Sequence, residues 1–297
     1  MYTKEKGGVI LLNRKRQRQR LIRKILVLGF ALLTFVFIFG LTTSAAEGTS
    51  DVNVTFGGRA ILEEDAVIIN SVTYVPVRSF SEEMNADSVT WNNSTRTATV
   101  KKGSTTISIA EGAYYISANG RYFYTVEKIL NIGGRLFAPI RPLCEAFCVD
   151  LVWNGKTRTV ELTSSGRSLK SGSEFYASDE VYWLSRIISA ESSGEPLKGK
   201  IAVGNVVLNR VRSSSYPNTI YGVIFDRKHG TQFSPVSMGT IYNTPTAESI
   251  IAAKICLEGY SISDRILFFM NPRIATSNWI SKNRPFAFRI GNHNFYY

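Results

Sequence analysis

Hydrophobic and polar residues follow three different patterns along this chain, and each pattern predicts a different kind of segment. Residues 25–41, ILVLGFALLTFVFIFGL, contain no charge and follow a cluster of basic residues. Residues 51–163 contain short β-rich runs bounded by turn residues, which predict strands. Residues 174–297 place apolar residues at helical spacing. We therefore expect an α+β chain, in which an apolar segment precedes a β-rich domain and a mainly helical domain.

The first apolar run has the features of an export signal. The basic stretch NRKRQRQRLIRK precedes it, and TTSAAEG follows it. The small residues Ser44 and Ala46 predict cleavage after Ala46, so residues 1–46 are interpreted as a signal peptide. The run is also about the minimum length that spans a bilayer, which leaves an uncleaved signal anchor as the alternative. In both cases we expect the rest of the chain outside the cytoplasm, either extracellular or in the cell wall or spore envelope. Contact with the membrane is expected only through this segment.

The charge and the cysteine content exclude several other function classes. The net charge is +12, but the first 24 residues contain nine Lys or Arg and one Glu, so most of the excess lies in one short arm. We therefore predict no nucleic-acid partner. Three cysteines suit buried apolar positions better than a disulfide framework, and the odd number leaves at least one free thiol. With two histidines and no ligand spacing, we predict no metal and no cofactor.

An internal repeat lies in the β-rich region. Residues 69–100 align with residues 132–162, and each copy is predicted to form a strand, a short helix, a strand, a turn and a strand. The Asn154-Gly155 pair in the second copy indicates a hairpin. We expect the matched tryptophans to anchor the core of each copy. The matched pairs are Pro76 and Pro139, Arg78 and Arg141, and Trp91 and Trp153.

The paired pattern VPVR…W…TRT of this repeat resembles the copper amine oxidase N-terminal-like domain. The resemblance implies a non-catalytic module, assigned here to residues 47–163, that spaces or docks the chain at the cell envelope. It does not imply copper, because the segment contains no histidine. Residues 164–173 are rich in serine and glycine and are predicted to form a flexible linker.

Glu191 lies at the end of a predicted amphipathic helix. Val181, Leu184, Ile188 and Glu191 recur at steps of three and four, so the carboxyl falls on the buried face. The C-terminal end of a helix also disfavours a negative charge. Both effects raise a carboxyl pKa, as a general acid requires. From the residues alone, a buried carboxyl held by a structural partner is an equal alternative.

Glu195 has a different setting four residues further on. Gly194 suits the end of the first helix, and Pro196 suits the first position of a helix over residues 196–213. The charge of Glu195 then favours the helix dipole. We interpret Glu195 as structural.

Six ordered blocks in this region resemble the SleB/CwlJ-type spore-cortex-lytic cell wall hydrolases. The resemblance implies a compact, mainly helical lysozyme-like domain with a small β element, assigned to residues 174–297. It implies cleavage of peptidoglycan glycan strands, commonly by lytic transglycosylation, with Glu191 as the catalytic glutamate. Lys200 departs from the glutamine that is usual in the family. The blocks are AESSGEPLKGKIAVGNVVLNRV, YPNTIYGVIFD, TQFSPV, FFMNP, SNW and IGNHNFYY.

The same blocks suggest substrate-binding residues. A sugar cleft uses aromatic faces for stacking and amides for hydroxyl groups. Core packing is the alternative for the two aromatic side chains and for the histidine. The candidates are Gln232, Phe233, Asn271, Trp279 and His293.

Three functions remain open at the level of sequence. A lytic transglycosylase needs one acid, which protonates the leaving oxygen and then deprotonates the muramoyl 6-hydroxyl as the anhydro ring closes. A glycan hydrolase of muramidase or glucosaminidase type needs a second carboxylate, and no other acid of the domain shares the apolar setting of Glu191. A non-catalytic envelope-binding protein is the third. Spore cortex, in germination or sporulation, and vegetative wall are equally open as substrates.

Overall fold

The computed structural model describes residues 52–62, 65–228, 230 and 232–297. The predicted signal peptide or signal anchor, residues 1–46, lies outside the described residues. In the described part, no helix combines the length and the apolar character needed to cross a membrane. These described residues belong to one compact unit. Its first half is built of strands and its second half mainly of helices, so the predicted α+β fold is confirmed.

Both copies of the repeat form the predicted strand, helix, strand, turn and strand, and each copy has a further strand in front that the sequence did not predict. In each copy the second strand ends at a proline, Pro76 or Pro139, which also precedes the helix. Proline suits this place because its fixed φ, −63° and −54° here, serves both the strand end and the helix start. The first copy contains β3 (Val67–Ile69), β4 (Val72–Pro76), α1 (Val77–Glu83), β5 (Ser88–Asn92) and β6 (Thr97–Lys102). The second contains β10 (Leu130–Ile132), β11 (Arg135–Pro139), α2 (Ile140–Phe147), β12 (Val149–Asn154) and β13 (Thr159–Ser164).

The two copies share one core. Strands β4 and β11 pair antiparallel, with Val75 opposite Ala138, in a sheet of order β10-β11-β4-β3. The rings of Phe80 on α1 and Phe147 on α2 meet edge to face at 5.6 Å. Each copy therefore covers apolar surface that the other would expose.

Two further sheets complete the repeat domain. One has the order β12-β13-β1-β2, in which β1 runs parallel to β13. The other is the antiparallel sheet β5-β6-β7-β8-β9. The remaining strands are β1 (Asn53–Phe56), β2 (Arg59–Ile61), β7 (Thr105–Ala110), β8 (Tyr115–Ala118) and β9 (Arg121–Tyr124).

The predicted core position of the two tryptophans is wrong. Trp91 is 39% exposed and Trp153 is 44% exposed. They lie on β5 and β12, which are edge strands of their sheets. An edge strand has a neighbour on one side only, so a large ring on it stays accessible, and smaller residues such as Val100 and Val160 fill the core instead.

The Thr-Arg-Thr motif has a backbone role in both hairpins. Arg96 and Arg158 adopt left-handed conformations, with φ of 49° and 51°, in the turns that follow β5 and β12. The side-chain oxygens of Asn92 and Asn154 accept hydrogen bonds from the backbone of these turns. The predicted hairpin at Asn154 is thus present, and the first copy repeats it.

The second half is a helical assembly beside a small sheet of order β14-β16-β15. Leu184 and Ile188 are fully buried, as the helical stripe predicted. A Cβ on Gly204 would lie 2.7 Å from the Cys256 sulfur, so glycine permits two helices to approach closely there. The helices are α3 (Gly172–Phe175), α4 (Ser178–Ser192), α5 (Leu197–Arg212), α6 (Ile220–Phe225), α7 (Ser234–Met238), α8 (Ala247–Leu257) and α9 (Trp279–Asn283). A 3₁₀ turn covers Thr240–Tyr242, and the strands are β14 (Phe268–Met270), β15 (Phe286–Ile290) and β16 (His293–Tyr296).

The two halves contact each other at β9 and the end of α8. Arg121 pairs with Glu258 at 2.5 Å, and both side chains are largely buried. The segment predicted as a flexible linker makes defined contacts at its end, where the Gly172 N–H donates to the Asn119 carbonyl at 2.8 Å. Cys144 and Cys256 are buried and Cys148 is half-buried, all as free thiols.

Candidate active site

Glu191 is the penultimate residue of α4, and its side chain is half-buried. Burial raises the pKa of its carboxyl to about 7, while the positive charge of Arg210 opposes part of that rise. In the described part of the chain, no hydrogen bond stabilises the charged form of this carboxyl, and Arg210 is the only charged group that acts on its pKa. The side chain can therefore hold a proton near neutral pH and release it to a bound molecule.

Arg210 is a buried cation in the last turn of α5, with 5% exposure. Its Nε donates to the Leu267 carbonyl at 2.8 Å. The guanidinium lies 5.1 Å from the ring centres of Tyr216 and Phe233 and 5.5 Å from that of Phe268. A backbone bond and three rings thus hold a fixed positive charge beside Glu191. We call these five side chains, Glu191, Arg210, Tyr216, Phe233 and Phe268, the Glu191 cluster.

Sequence reasoning missed Arg210. A basic residue in the last turn of a helix ordinarily interacts with the helix dipole and remains solvated. Only its spacing from Val203 and Val207 on α5, at steps of four and three, could have suggested that it faces the interior. Its Nη1 is buried and has no hydrogen-bond partner within the described residues.

Two of the predicted substrate residues lie at or next to the Glu191 cluster. Phe233 is buried against Arg210. Gln232 precedes it and is half-buried, with its side-chain amide 3.5 Å from the Gly230 carbonyl. The side chain of Gln232 can therefore form further hydrogen bonds next to the cluster.

Trp279 lies beside Phe268, and Asn271 follows the end of β14. Trp279 is 51% exposed, its ring centre is 6.5 Å from that of Phe268, and the Arg284 guanidinium lies 5.4 Å from it. Core packing is therefore the wrong alternative for Trp279. Asn271 shapes the loop that follows β14, because its side-chain oxygen accepts the Arg273 N–H at 3.0 Å.

His293 lies in different surroundings. It is 6% exposed on β16, and its ring packs edge to face against Phe269 at 5.3 Å. Burial lowers its pKa, which the charge of Glu195 opposes. The structure thus places His293 beside Glu195 and not in the Glu191 cluster, in the setting of a core histidine.

Glu195 joins the start of α5 to the β15–β16 turn. Its carboxylate accepts hydrogen bonds from the backbone N–H of Asn292 at 2.9 Å and from the Asn292 side chain at 3.0 Å. Burial would raise the pKa of Glu195, but these two hydrogen bonds and the charges of His293 and Lys200 together outweigh it and the pKa is lowered. Gly291 has φ of 56°, and a Cβ there would lie 1.8 Å from the carboxylate. The helix begins at Leu197, one residue later than predicted, so Pro196 is the residue before it.

The lysine that departs from the family pattern is also structural. Lys200 is 2% exposed, and its ammonium donates to the Glu195 carbonyl and to the Glu248 carboxylate, the latter at 2.7 Å. It therefore ties the start of α5 to the first turn of α8.

Comparison with known proteins gives the class of each half. The family described as Cell Wall Hydrolase matches residues 194–296, and the Copper amine oxidase N-terminal domain matches residues 55–162. The chain thus carries a cell wall hydrolase domain preceded by a copper amine oxidase N-terminal-like domain, which confirms both resemblances. The first match begins three residues after Glu191. In the second, the absence of histidine leaves copper without imidazole ligands.

The particular relatives are spore enzymes. The chain is 38% identical to the spore cortex-lytic enzyme of Bacillus cereus over 120 residues, which are 40% of this chain and 45% of the relative. For the spore cortex-lytic enzyme of Bacillus subtilis strain 168, the identity is 35% over 40% of this chain and 38% of the relative. The chain therefore spans less than half the length of these relatives.

Two solved structures are also similar in sequence. One is the catalytic domain of the germination-specific lytic transglycosylase SleB from Bacillus anthracis, and the other is that of the Bacillus cereus SleB protein. Both are 36% identical and fully covered, and they cover 43% and 45% of this chain with TM-scores of 0.38 and 0.37.

Proposed function

We propose that this protein cleaves the glycan strands of peptidoglycan as a lytic transglycosylase, with Glu191 as the acid and then the base. The single observation that carries the proposal is a carboxyl whose pKa of about 7 is affected by one cation and by no carboxylate among the described residues. A lone acid suits a reaction in which the substrate supplies its own nucleophile. The names of the spore relatives support the same substrate class.

The proposed reaction returns a proton to Glu191 and consumes no water. The Glu191 carboxyl gives its proton to the glycosidic oxygen, and the bond from that oxygen to C1 of the muramoyl residue breaks. The resulting carboxylate, stabilised by Arg210, then takes the proton of the 6-hydroxyl of the same residue. That oxygen bonds to C1, which closes the 1,6-anhydro ring and restores the protonated acid.

A two-carboxylate hydrolase is the second candidate. It requires another carboxylate at about 5–5.5 Å for retention or about 6.5–9.5 Å for inversion. Asp226 raises the pKa of Arg210, a member of the Glu191 cluster, so it is the acid to compare. It has no effect on the pKa of Glu191, whereas a carboxylate within a few ångströms would raise that pKa further. This observation favours the single-acid reaction.

The remaining assignments belong to the same proposal. Residues 47–163 are the repeat domain, 164–173 the connection and 174–297 the catalytic domain. Gln232, Asn271 and Trp279 contact the glycan, the buried Phe233 supports Arg210, and His293 is the weakest candidate for glycan contact. The chain acts outside the cytoplasm, and residues 1–46 export it or hold it at the membrane.

Product analysis tests the proposal. The full chain is incubated with spore cortex and, separately, with vegetative sacculi, and the released muropeptides are analysed by mass spectrometry. We expect products lighter by one water molecule than hydrolysis products. Reducing-end muramic acid would favour the hydrolase, and retention on sacculi without any released muropeptide would favour a binding protein. Full release by Glu191→Gln would refute the assignment of the acid.

A further inference from the structure

A large cleft lies between the repeat domain and the helical domain, away from the Glu191 cluster. Its volume is about 1740 Å³, and its walls come mainly from α2, β12, β9, residues 166–170 and the loop after α8, with a part from β3 and β4 of the first copy. None of the residues of the Glu191 cluster lines it. The Arg121–Glu258 pair lies in its wall and joins the two domains there.

The two tryptophans of the repeat differ in what surrounds them. Trp153 lines the cleft and is 44% exposed, with its indole packed over Gly155. Trp91 occupies the matching position in the first copy, outside the cleft, and its indole N–H donates to the Asn93 side chain at 2.7 Å. An accessible indole inside a cleft offers an apolar face with a polar edge, which suits the alternating C–H and hydroxyl surface of a sugar ring.

An arginine and a glutamate occupy matching positions in the two copies, and only the pair of the second copy lines the cleft. In the first copy Arg78 and Glu82 form an exposed ion pair at 3.8 Å. In the second copy the corresponding Arg141 and Glu145 both line the cleft. Glu145 is exposed along the cleft, and the protein around its carboxyl raises the pKa to about 7, against the charge of Arg141.

The other charges of the cleft leave it basic. Two ion pairs lie in the wall, Arg121 with Glu258 at 2.5 Å and Arg167 with Asp150 at 2.6 Å. Within each pair the two charges neutralise each other. Basic side chains outnumber acidic ones along the lining. The basic residues are Arg121, Arg141, Arg158, Arg167 and Lys170, and the acidic ones are Glu145, Asp150 and Glu258.

We propose that this cleft binds a carboxylated sugar of the cell wall glycan, with the sugar ring against Trp153 and the carboxylate at Arg141. The identity of the glycan rests on the proposed function, but the site is separate from Glu191. The cleft would hold one part of the wall polymer while the Glu191 cluster cleaves another. An Arg guanidinium suits this role because its fork of N–H groups matches a carboxylate.

Indole signals in NMR spectra test the proposal site by site. The chain has four tryptophans. Trp153 reports on the cleft. Trp279 reports on the proposed glycan contacts near the Glu191 cluster, Gln232, Asn271 and Trp279, which we call the catalytic groove. The full chain with Glu191→Gln is titrated with the disaccharide N-acetylglucosaminyl-N-acetylmuramic acid, which carries a carboxylate, and with N,N′-diacetylchitobiose, which does not. The Trp153 signal is assigned by its loss in Trp153→Phe.

We expect the acidic disaccharide to shift the Trp153 signal saturably and the neutral one to bind about tenfold more weakly, since loss of one charge-assisted hydrogen bond has that order of effect. Arg141→Ala should weaken binding of the acidic disaccharide to a similar extent, and the matched variant Arg78→Ala should not.

A Trp153 signal that stays fixed while the Trp279 signal moves would overturn the proposed cleft site and leave the catalytic proposal standing. Equal binding of both disaccharides, unaffected by Arg141→Ala, would overturn the carboxylate assignment. A fixed Trp279 signal with a moving Trp153 signal would support the cleft and count against the catalytic groove.

Discussion

The end of α4 and the start of α5 carry two glutamates four residues apart, with opposite physical properties. Glu191 has no hydrogen bond to its carboxyl among the described residues, and burial raises its pKa to about 7. Glu195 accepts two hydrogen bonds from Asn292, and its pKa is lowered. Both side chains lose solvent, so burial alone does not decide the protonation state. What decides it is whether donors are present to stabilise the charged form.

The same difference separates a group suited to chemistry from one suited to structure. A carboxyl without donors can change its protonation state during a reaction at little cost. A carboxylate held by two donors is fixed in charge and position, and it stabilises the junction that it occupies. The comparison predicts that replacing the two glutamates will damage different properties of the protein.

The largest expected effect is on turnover in Glu191→Gln. Loss of the proton donor should lower kcat/KM on cortex or sacculi by about 10²–10⁴-fold, the usual contribution of general acid–base catalysis. The free energy of unfolding should not fall, because an unstabilised carboxyl is replaced by a neutral side chain. Initial rates and urea denaturation measure the two quantities. A variant with low stability and normal turnover per folded molecule would reverse the roles that we assign.

The second effect concerns the pH dependence of the rate. The reaction starts from the protonated form of Glu191, so the rate should fall about tenfold per pH unit above a pKa near 7. The charge of Arg210 lowers that pKa, so Arg210→Met should raise it and move the alkaline limb to higher pH. Arg210→Lys keeps the charge and serves as the control. A limb at the same pH in Arg210→Met would show that Glu191 is not the titrating acid.

The smallest effect is the loss of stability in Glu195→Gln. We expect the free energy of unfolding to fall by about 1–3 kcal/mol, because a charge-assisted hydrogen bond to Asn292 is lost. Turnover per folded molecule should be unchanged. Urea denaturation at neutral pH measures the loss, and Glu180→Gln in the first turn of α4 is the exposed control.

The pH dependence of that loss checks its cause. Glu195 has a lowered pKa when folded, so its contribution is complete above its unfolded pKa and disappears as the pH falls through the folded value. The variant and the wild type should therefore converge in acid. A difference that persists there would mean that packing, and not the charged hydrogen bonds, explains the loss.

Local patterns in the sequence were sufficient for the elements and for the position of the acid. The stripe of Leu184 and Ile188 predicted which face of α4 is buried, and helical periodicity alone then placed Glu191 at the end of that face. The repeat predicted the order of strands and helices in both copies. These features depend on residues within one or two turns or strands, so a single window of sequence contains their cause.

The surroundings of those residues depended on how distant elements pack. Asn292 reaches Glu195 across 97 positions, and Arg210 reaches Glu191 only because α5 crosses α4 with that face inward. The exposure of Trp91 and Trp153 followed from the order of strands in the sheets, which places β5 and β12 at edges. Periodicity records which face of an element is apolar, and it does not record which charges and donors another element brings to that face. The sequence therefore predicted which carboxyl has a raised pKa, and the tertiary structure decided which cation and which donors act on each of the two.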